Sequence, residues 1–224
     1  MFVSRVLVAK ASRFMAVPQP LYLPDVVAEI RDRYGFINYP RSPEEVLIPS
    51  DGSRAMVFTH GKVTHEGREI VVESLELYAN AISVGTLTST DDSDIILERF
   101  FADAAPRAVP VPGSPRVYVS QLEVMLTPPL DSASPLTNLG SEISRRFGKK
   151  VGREITPFRI ASISMTPDPS TGSLIPADFR IDRRAGIPYD RELLFSQAPL
   201  STRGHIEVLE EYERLLGGAV AKLP

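Results

Sequence analysis

The sequence contains no cysteine. Disulfide bonds, thiolate metal sites and a cysteine nucleophile are therefore excluded, and stability has to come from the packing of side chains. No segment approaches the roughly 18 apolar residues that a membrane-spanning helix needs. The apolar run near the N-terminus is too short for the core of a signal peptide. These absences predict a cytoplasmic protein that does not bind a membrane.

Recognised catalytic motifs are also lacking. The sequence has no glycine-rich phosphate loop, dinucleotide-binding fingerprint, zinc-protease helix or protein-kinase motif. Histidine occurs three times. His60 and His65 bracket a short loop in which both rings could reach one zinc ion or phosphate, and His205 lies beside Ser201, but neither arrangement has a third ligand or a triad spacing. We therefore predict no catalytic histidine and no cofactor.

What is present is the composition of an ordinary globular protein. The 224 residues are 43% apolar and 24% charged, with a formal net charge of −3, which is far from the compositions of disordered or fibrous chains. The length suits one domain or two small halves. Four prolines in segment 105–115 favour an extended connection. We predict a single compact unit, 1–224, either undivided or made of halves 1–104 and 116–224 joined by that segment.

Hydrophobic periodicity predicts an α+β fold. Helical spacing appears after Pro24, where Val26, Ile30 and Tyr34 would face the core, and again in segments 91–104 and 203–216. A further helix is predicted where Leu139, Ile143 and Phe147 recur every four residues, with Thr137 or Asn138 as its cap. Ser42 begins a capping box that predicts one short helical turn. Segments 55–59, 70–77, 81–87, 117–126, 158–165 and 179–183 read as strands. We expect mostly antiparallel sheet, in one or two sheets, with three or four helices packed on it.

One pattern of residues occurs twice. A Ser-Thr pair is followed after six residues by Leu-Glu and then, two positions after the glutamate, by an aromatic residue. The two copies are Ser89-Thr90, Leu97-Glu98, Phe100 and Ser201-Thr202, Leu209-Glu210, Tyr212. Each copy predicts a junction between an extended segment and a helix whose first turn is capped by the serine. Shared capping chemistry explains the recurrence, and an internal duplication is the alternative.

The first of these junctions is rich in carboxylates. Asp91, Asp92 and Asp94 offer the hard oxygen ligands that Mg²⁺ and Ca²⁺ prefer. Acidic residues also stabilise the positive end of a helix, so capping explains them without a metal. The metal reading gives the first alternative function, a metal-dependent phosphoesterase or nuclease that uses this cluster of aspartates.

Basic residues concentrate between positions 145 and 191, where ten oppose five acidic residues. The densest group lies near the end of the third helix: Arg145, Arg146, Lys149 and Lys150. The nearby Phe147 and Phe158 are predicted to lie in the core, which leaves no aromatic platform for stacking bases. Sequence-independent binding of nucleic acid is therefore the second alternative, and an acidic protein surface is the favoured counterpart.

A second candidate epitope lies in a predicted turn bounded by Gly186 and Pro188. Arginine and tyrosine dominate interface hot spots, and four of them occur in or beside this turn: Arg183, Arg184, Tyr189 and Arg191. Together with the basic group they predict a non-catalytic protein-interaction or assembly subunit. Its partner would be another protein chain, either a different protein or a second copy.

Overall fold

A computed structural model describes residues 1–15, 24–49, 54–104, 109–127, 136–152, 158–166, 168, 177–184, 186–187 and 193–220. Within these residues there are eight strands and five helices. The strands are β1 (Phe2–Phe14), β2 (Met56–His65), β3 (Arg68–Leu77), β4 (Ala81–Thr86), β5 (Val117–Met125), β6 (Ser162–Met165), β7 (Phe179–Arg183) and β8 (Leu194–Ala198). The helices are α1 (Pro24–Tyr34), α2 (Pro43–Val46), α3 (Thr90–Ala104), α4 (Leu136–Val151) and α5 (Thr202–Val220).

All eight strands form one antiparallel sheet in the order β2-β3-β4-β1-β5-β8-β7-β6. The predicted α+β class and the antiparallel pairing are confirmed. The described part of the chain has five helices where three or four were expected, and the strands lie in one sheet.

The order of the elements repeats along the chain. β1, α1, β2, β3, β4 and α3 are followed by β5, α4, β6, β7, β8 and α5, and α2 is an addition to the first series. In each series the first strand pairs with the last strand. β1 and β5 pair with each other at the centre of the sheet, where Ala9 lies opposite Ser120. The two series are thus arranged about an approximate two-fold axis between β1 and β5.

β1 is a central strand that the sequence analysis did not predict. Its 13 residues pair with β4 on one side and with β5 on the other. Ala9 and Ala11 are fully buried, and α3 packs against this strand. Small residues at these positions allow the helix to approach the sheet closely. β8 is the second strand that was not predicted.

Two clusters of buried side chains form the core. The larger cluster lies under α1 and α3 and includes Tyr34, Phe58 and Phe100. The smaller cluster includes Leu122 from β5 and Leu209 from α5. β1 contributes to both, because Ala11 belongs to the larger cluster while Val3 and Val6 pack against the smaller one. The central strand β1 therefore connects the two clusters of the core.

The structure corrects the predicted loop around Gly61-Lys62. β2 continues through Gly61 to His65, and the turn is the two-residue connection Glu66-Gly67, whose φ angles of 49° and 75° are typical of a type I′ hairpin. Gly61 is required by packing, because an added Cβ would lie 2.5 Å from the ring of Phe36 and 2.8 Å from the carbonyl oxygen of Tyr34. A glycine that looked like a turn signal is a site of close approach.

Helix boundaries were predicted with mixed success. The buried row Val26, Ile30 and Tyr34 of α1 is confirmed, and the capping box at Ser42 is present. The predicted end of the last helix at residue 216 was wrong, because α5 continues through Gly217 and Gly218 to Val220. Two glycines weaken a helix without obliging it to end.

Candidate functional site

The two recurrent Ser-Thr pairs lie where strands give way to helices, as predicted. Ser89 Oγ accepts a hydrogen bond from the backbone N–H of Asp92, and Ser201 Oγ accepts one from Gly204, each at 3.2 Å. These serines are helix caps. The two copies also contact each other. The N–H of Thr90 donates to Thr202 Oγ1 at 3.0 Å, and the N–H of Thr202 donates to Thr90 Oγ1 at 2.9 Å.

Asp92 is buried and neutralised by its neighbours. Its carboxylate accepts two hydrogen bonds from the guanidinium of Arg68 and one from the hydroxyl of Thr88. Burial alone would raise the pKa of Asp92, but these hydrogen bonds outweigh it and hold the pKa below its usual value. Asp92 is therefore a structural anion that ties β3 to α3.

The other two aspartates have different surroundings. Asp94 Oδ2 accepts from the hydroxyl of Tyr118 at 2.7 Å and pairs with Arg116 at 3.1 Å, whereas Asp91 is exposed. In the described part of the chain no group of three or more metal-ligating side chains is placed to hold an ion. A metal site at Asp91, Asp92 and Asp94 stays a prediction from sequence alone, and two of the three carboxylates already have cationic partners.

A cleft of about 660 Å³ lies beside Asp94 on the outer side of α3. Its polar lining consists of His65, Asp94, Glu98, Arg99 and Arg116. The size is in the range of small-molecule sites. However, Arg116 forms salt bridges with both Asp94 and Glu98, at 3.1 Å and 2.7 Å. These three side chains neutralise one another, which leaves less charge to bind a ligand.

His60 and His65 do not form a common site. Both lie on β2 rather than in a loop, and five residues of extended chain separate them by about 16 Å. His60 Nδ1 is within hydrogen-bonding distance of Thr59 Oγ1, at 3.0 Å. The hypothesis of one zinc or phosphate between the two rings is therefore wrong.

His205 is fully buried and pairs with a different serine from the one that the sequence suggested. Its Nε2 lies 2.8 Å from Ser196 Oγ, which itself donates to the carbonyl oxygen of Arg180 at 3.2 Å. Because the hydroxyl proton is used in that bond, Nε2 is the donor to Ser196. Burial lowers the pKa of His205 to about 4. The pair is shielded from solvent and holds α5 on β8.

The buried His205 predicts a loss of stability in mild acid. The unfolded chain takes up the proton near pH 6.5, but the folded chain does so only near pH 4, so stability is complete above pH 6.5 and falls as the pH drops toward 4. We expect a loss of about 2 kcal/mol in the free energy of unfolding between pH 7.5 and pH 5. Urea unfolding of wild type and of His205→Gln at both pH values measures it. An equal pH dependence in the two proteins would contradict the prediction.

Two of the four residues of the predicted arginine–tyrosine epitope fall in the described chain. Tyr189 and Arg191 lie outside it. Arg184 donates to Glu123 on β5 at 3.2 Å, and hydrogen bonds from Ser4 and Arg184 hold the pKa of Glu123 below its usual value. The backbone N–H of Arg183 donates to Ala161 at 2.8 Å. Arg184, just after β7, is therefore bound to β5 of its own chain.

The basic residues of α4 stand along its exposed surface. Arg145 and Arg146 both donate to Glu142, at 2.6–2.7 Å, and these hydrogen bonds lower the pKa of Glu142 to about 2. Lys149 and Lys150 are exposed and make no ion pair with the described residues. The helix therefore keeps an excess of positive charge.

The apolar row of α4 is exposed, which corrects the prediction that Ile143 and Phe147 belong to a buried helical row. Ile143, Phe147 and Val151 recur every four residues and are 45%, 49% and 46% exposed. Phe158, also predicted to be core, is 50% exposed and packs edge to face on Phe147, with ring centroids 6.1 Å apart. We call these four side chains with Arg145, Arg146, Lys149 and Lys150 the α4 surface.

α4 is held to the rest of the chain beside its apolar row. Ser144 is buried, and its Oγ accepts a hydrogen bond from the N–H of Phe158 at 2.7 Å. By contrast α1, which occupies the same place in the first series of elements, buries Val26, Ile30 and Tyr34. The periodicity of the sequence identified an apolar row on α4, but it could not show whether other residues of the same chain bury that row.

Comparison with known proteins does not assign a family or a function to the chain. No protein-family model matches the chain, and no curated protein is similar to it in sequence. Of the helices in the described residues, none has the length and hydrophobicity to cross a membrane.

Proposed function

We propose that the chain is a non-catalytic protein-interaction or assembly subunit that binds another protein through the α4 surface. The observation that carries the proposal is the exposed row Ile143, Phe147 and Val151 on a helix that also carries four basic side chains. Three large apolar side chains, each about half exposed, leave water-facing area that a partner can bury. Burial of such area is favourable by about 25 cal/mol per Å².

The composition of the α4 surface indicates the partner's chemistry. Residues 141–152 contain four basic residues and one glutamate, a balance of +3. A partner that offers apolar side chains flanked by carboxylates would match both features, because complementary charge guides association while apolar burial holds the complex. The α4 surface thus supports an acidic protein surface as the counterpart.

Nucleic acid is a weaker match for the same residues. Phe147 and Phe158 pack on each other edge to face, so they do not offer parallel faces on which successive bases could stack. Arg145 and Arg146 already share Glu142, which reduces the charge available to phosphates. Binding that depends on apolar contact and weakens only modestly with salt would favour a protein partner.

The test is partner recovery by cross-linking in cells of the source organism. We expect Phe147→Asp to reduce recovery of the specific partner about tenfold, since it places a carboxylate at the centre of the apolar row. Ile37→Asp is the matched control, because Ile37 is a large aliphatic side chain that is 70% exposed on another surface. The folded state of each variant is checked by its melting temperature.

Two results would overturn the proposal. One is recovery of the same partners, in the same amounts, with wild type and Phe147→Asp. The other is recovery of nucleic acid in place of protein, with affinity that falls steeply as salt is raised.

A further inference from the structure

We infer that the partner of the α4 surface is a second copy of this chain, which contributes the outer face of its α5. This inference rests on the proposed function and names the occupant. The observation behind it is that α5 leaves a second apolar row uncovered: Val208 is 40% exposed and Leu215 is 57% exposed. Seven residues apart, they lie on the same side of the helix.

The inner side of α5 is fully occupied by its own chain. His205 and Leu209 are buried against the sheet, and Thr202 bonds to the start of α3. Val208 and Leu215 lie about 100° around the helix from the centre of these contacts and stay exposed. Since the α4 row and the α5 row are both exposed in the same chain, they do not cover each other within one molecule.

The charges of the two helices are complementary. From Arg203 to Leu215, α5 has four glutamates and two arginines, a balance of −2, against +3 for residues 141–152 of α4. Glu207 and Glu211 are more than half exposed and lie beside the apolar row of α5, where each also pairs with an arginine of its own helix. Lys150 is exposed beside the apolar row of α4, whereas Lys149 is exposed on the opposite side of that helix. Contact between the two faces would place carboxylates of α5 near the ammonium group of Lys150.

The apolar rows also match in length. Ile143 to Val151 extends about 12 Å along α4, and Val208 to Leu215 extends about 10 Å along α5. Two side chains of α5 can therefore insert between three of α4, as in ordinary helix packing. The contact joins α4 of one copy to α5 of another. If two copies make this contact in both directions, they form a closed dimer; if each pair of copies makes it once, the copies form an open chain.

Sedimentation equilibrium of the full chain over a range of concentrations tests this. We expect wild type to self-associate and Phe147→Asp to weaken association about tenfold or more, while Ile37→Asp behaves as wild type. Two charge-reversed proteins give the specific test: Lys149→Glu with Lys150→Glu, and Glu207→Lys with Glu211→Lys. Each alone should lose self-association, since its α4 and α5 now carry the same sign. An equimolar mixture of the two should recover it.

The outcomes separate this inference from the proposed function. A wild-type monomer at every concentration, or a mixture that does not recover association, would overturn the second copy as partner. Phe147-dependent recovery of a different protein in the cross-linking experiment would also overturn it, while leaving the proposed function standing. Recovered association in the mixture, with none in either variant alone, supports both.

Discussion

Leu97→Ala and Leu209→Ala are each expected to lower the free energy of unfolding by about 2–5 kcal/mol, because both leucines are fully buried and alanine leaves a cavity. They occupy matching places in the recurrent pattern, one on α3 in the larger core cluster and one on α5 in the smaller. We also expect both variants to shift one common transition, since β1 pairs with strands of both series and packs in both clusters.

Urea unfolding followed by far-ultraviolet circular dichroism and by tyrosine fluorescence measures this. The controls are Leu97→Met and Leu209→Met, which nearly conserve volume and should cost less than about 1.5 kcal/mol. Coincident transitions by both probes would support the single compact unit that the sequence predicted. Two separable transitions, each moved by only one of the alanine variants, would favour two independently folding halves.

Local signals in the sequence predicted much of the fold. The caps at Ser42, Ser89 and Ser201 were found because a hydroxyl three residues before an orphan backbone N–H is a local arrangement. The buried rows of α1 and α3 were found because their period of 3.6 residues persists over several turns. Both kinds of signal need no knowledge of the rest of the chain.

The missed features depend on distant residues. β1 lacks a clean alternation because two register shifts interrupt its pairing with β5, and its neighbours lie far along the chain. Gly61 resembles a turn glycine, but the ring of Phe36 dictates it. The row on α4 has the period of a core face, and periodicity does not distinguish a face buried by its own chain from a face left open. The candidate interface was for this reason predicted only by its charges.

The recurrence acquires a physical explanation that capping alone did not supply. Thr90 and Thr202 exchange hydrogen bonds across the approximate two-fold axis, so the matching residues contact each other. A residue that lies next to a two-fold axis contacts the equivalent residue of the other series. Threonine has both a backbone N–H donor and a hydroxyl acceptor, so two equivalent threonines can form two hydrogen bonds with each other. The contact is therefore self-complementary, as the alternative of an internal duplication would require.

Thr90→Val and Thr202→Val are therefore expected to destabilise the protein by about 1–3 kcal/mol each, because each leaves the buried N–H of the other threonine without an acceptor. The double variant loses both bonds, and we expect about 2–6 kcal/mol. Thr90→Ser and Thr202→Ser keep the hydroxyl and serve as controls for the valine variants. Urea unfolding measures all five proteins against wild type. If valine and serine at these positions gave equal stability, the exchange of hydrogen bonds would not be what joins the starts of α3 and α5.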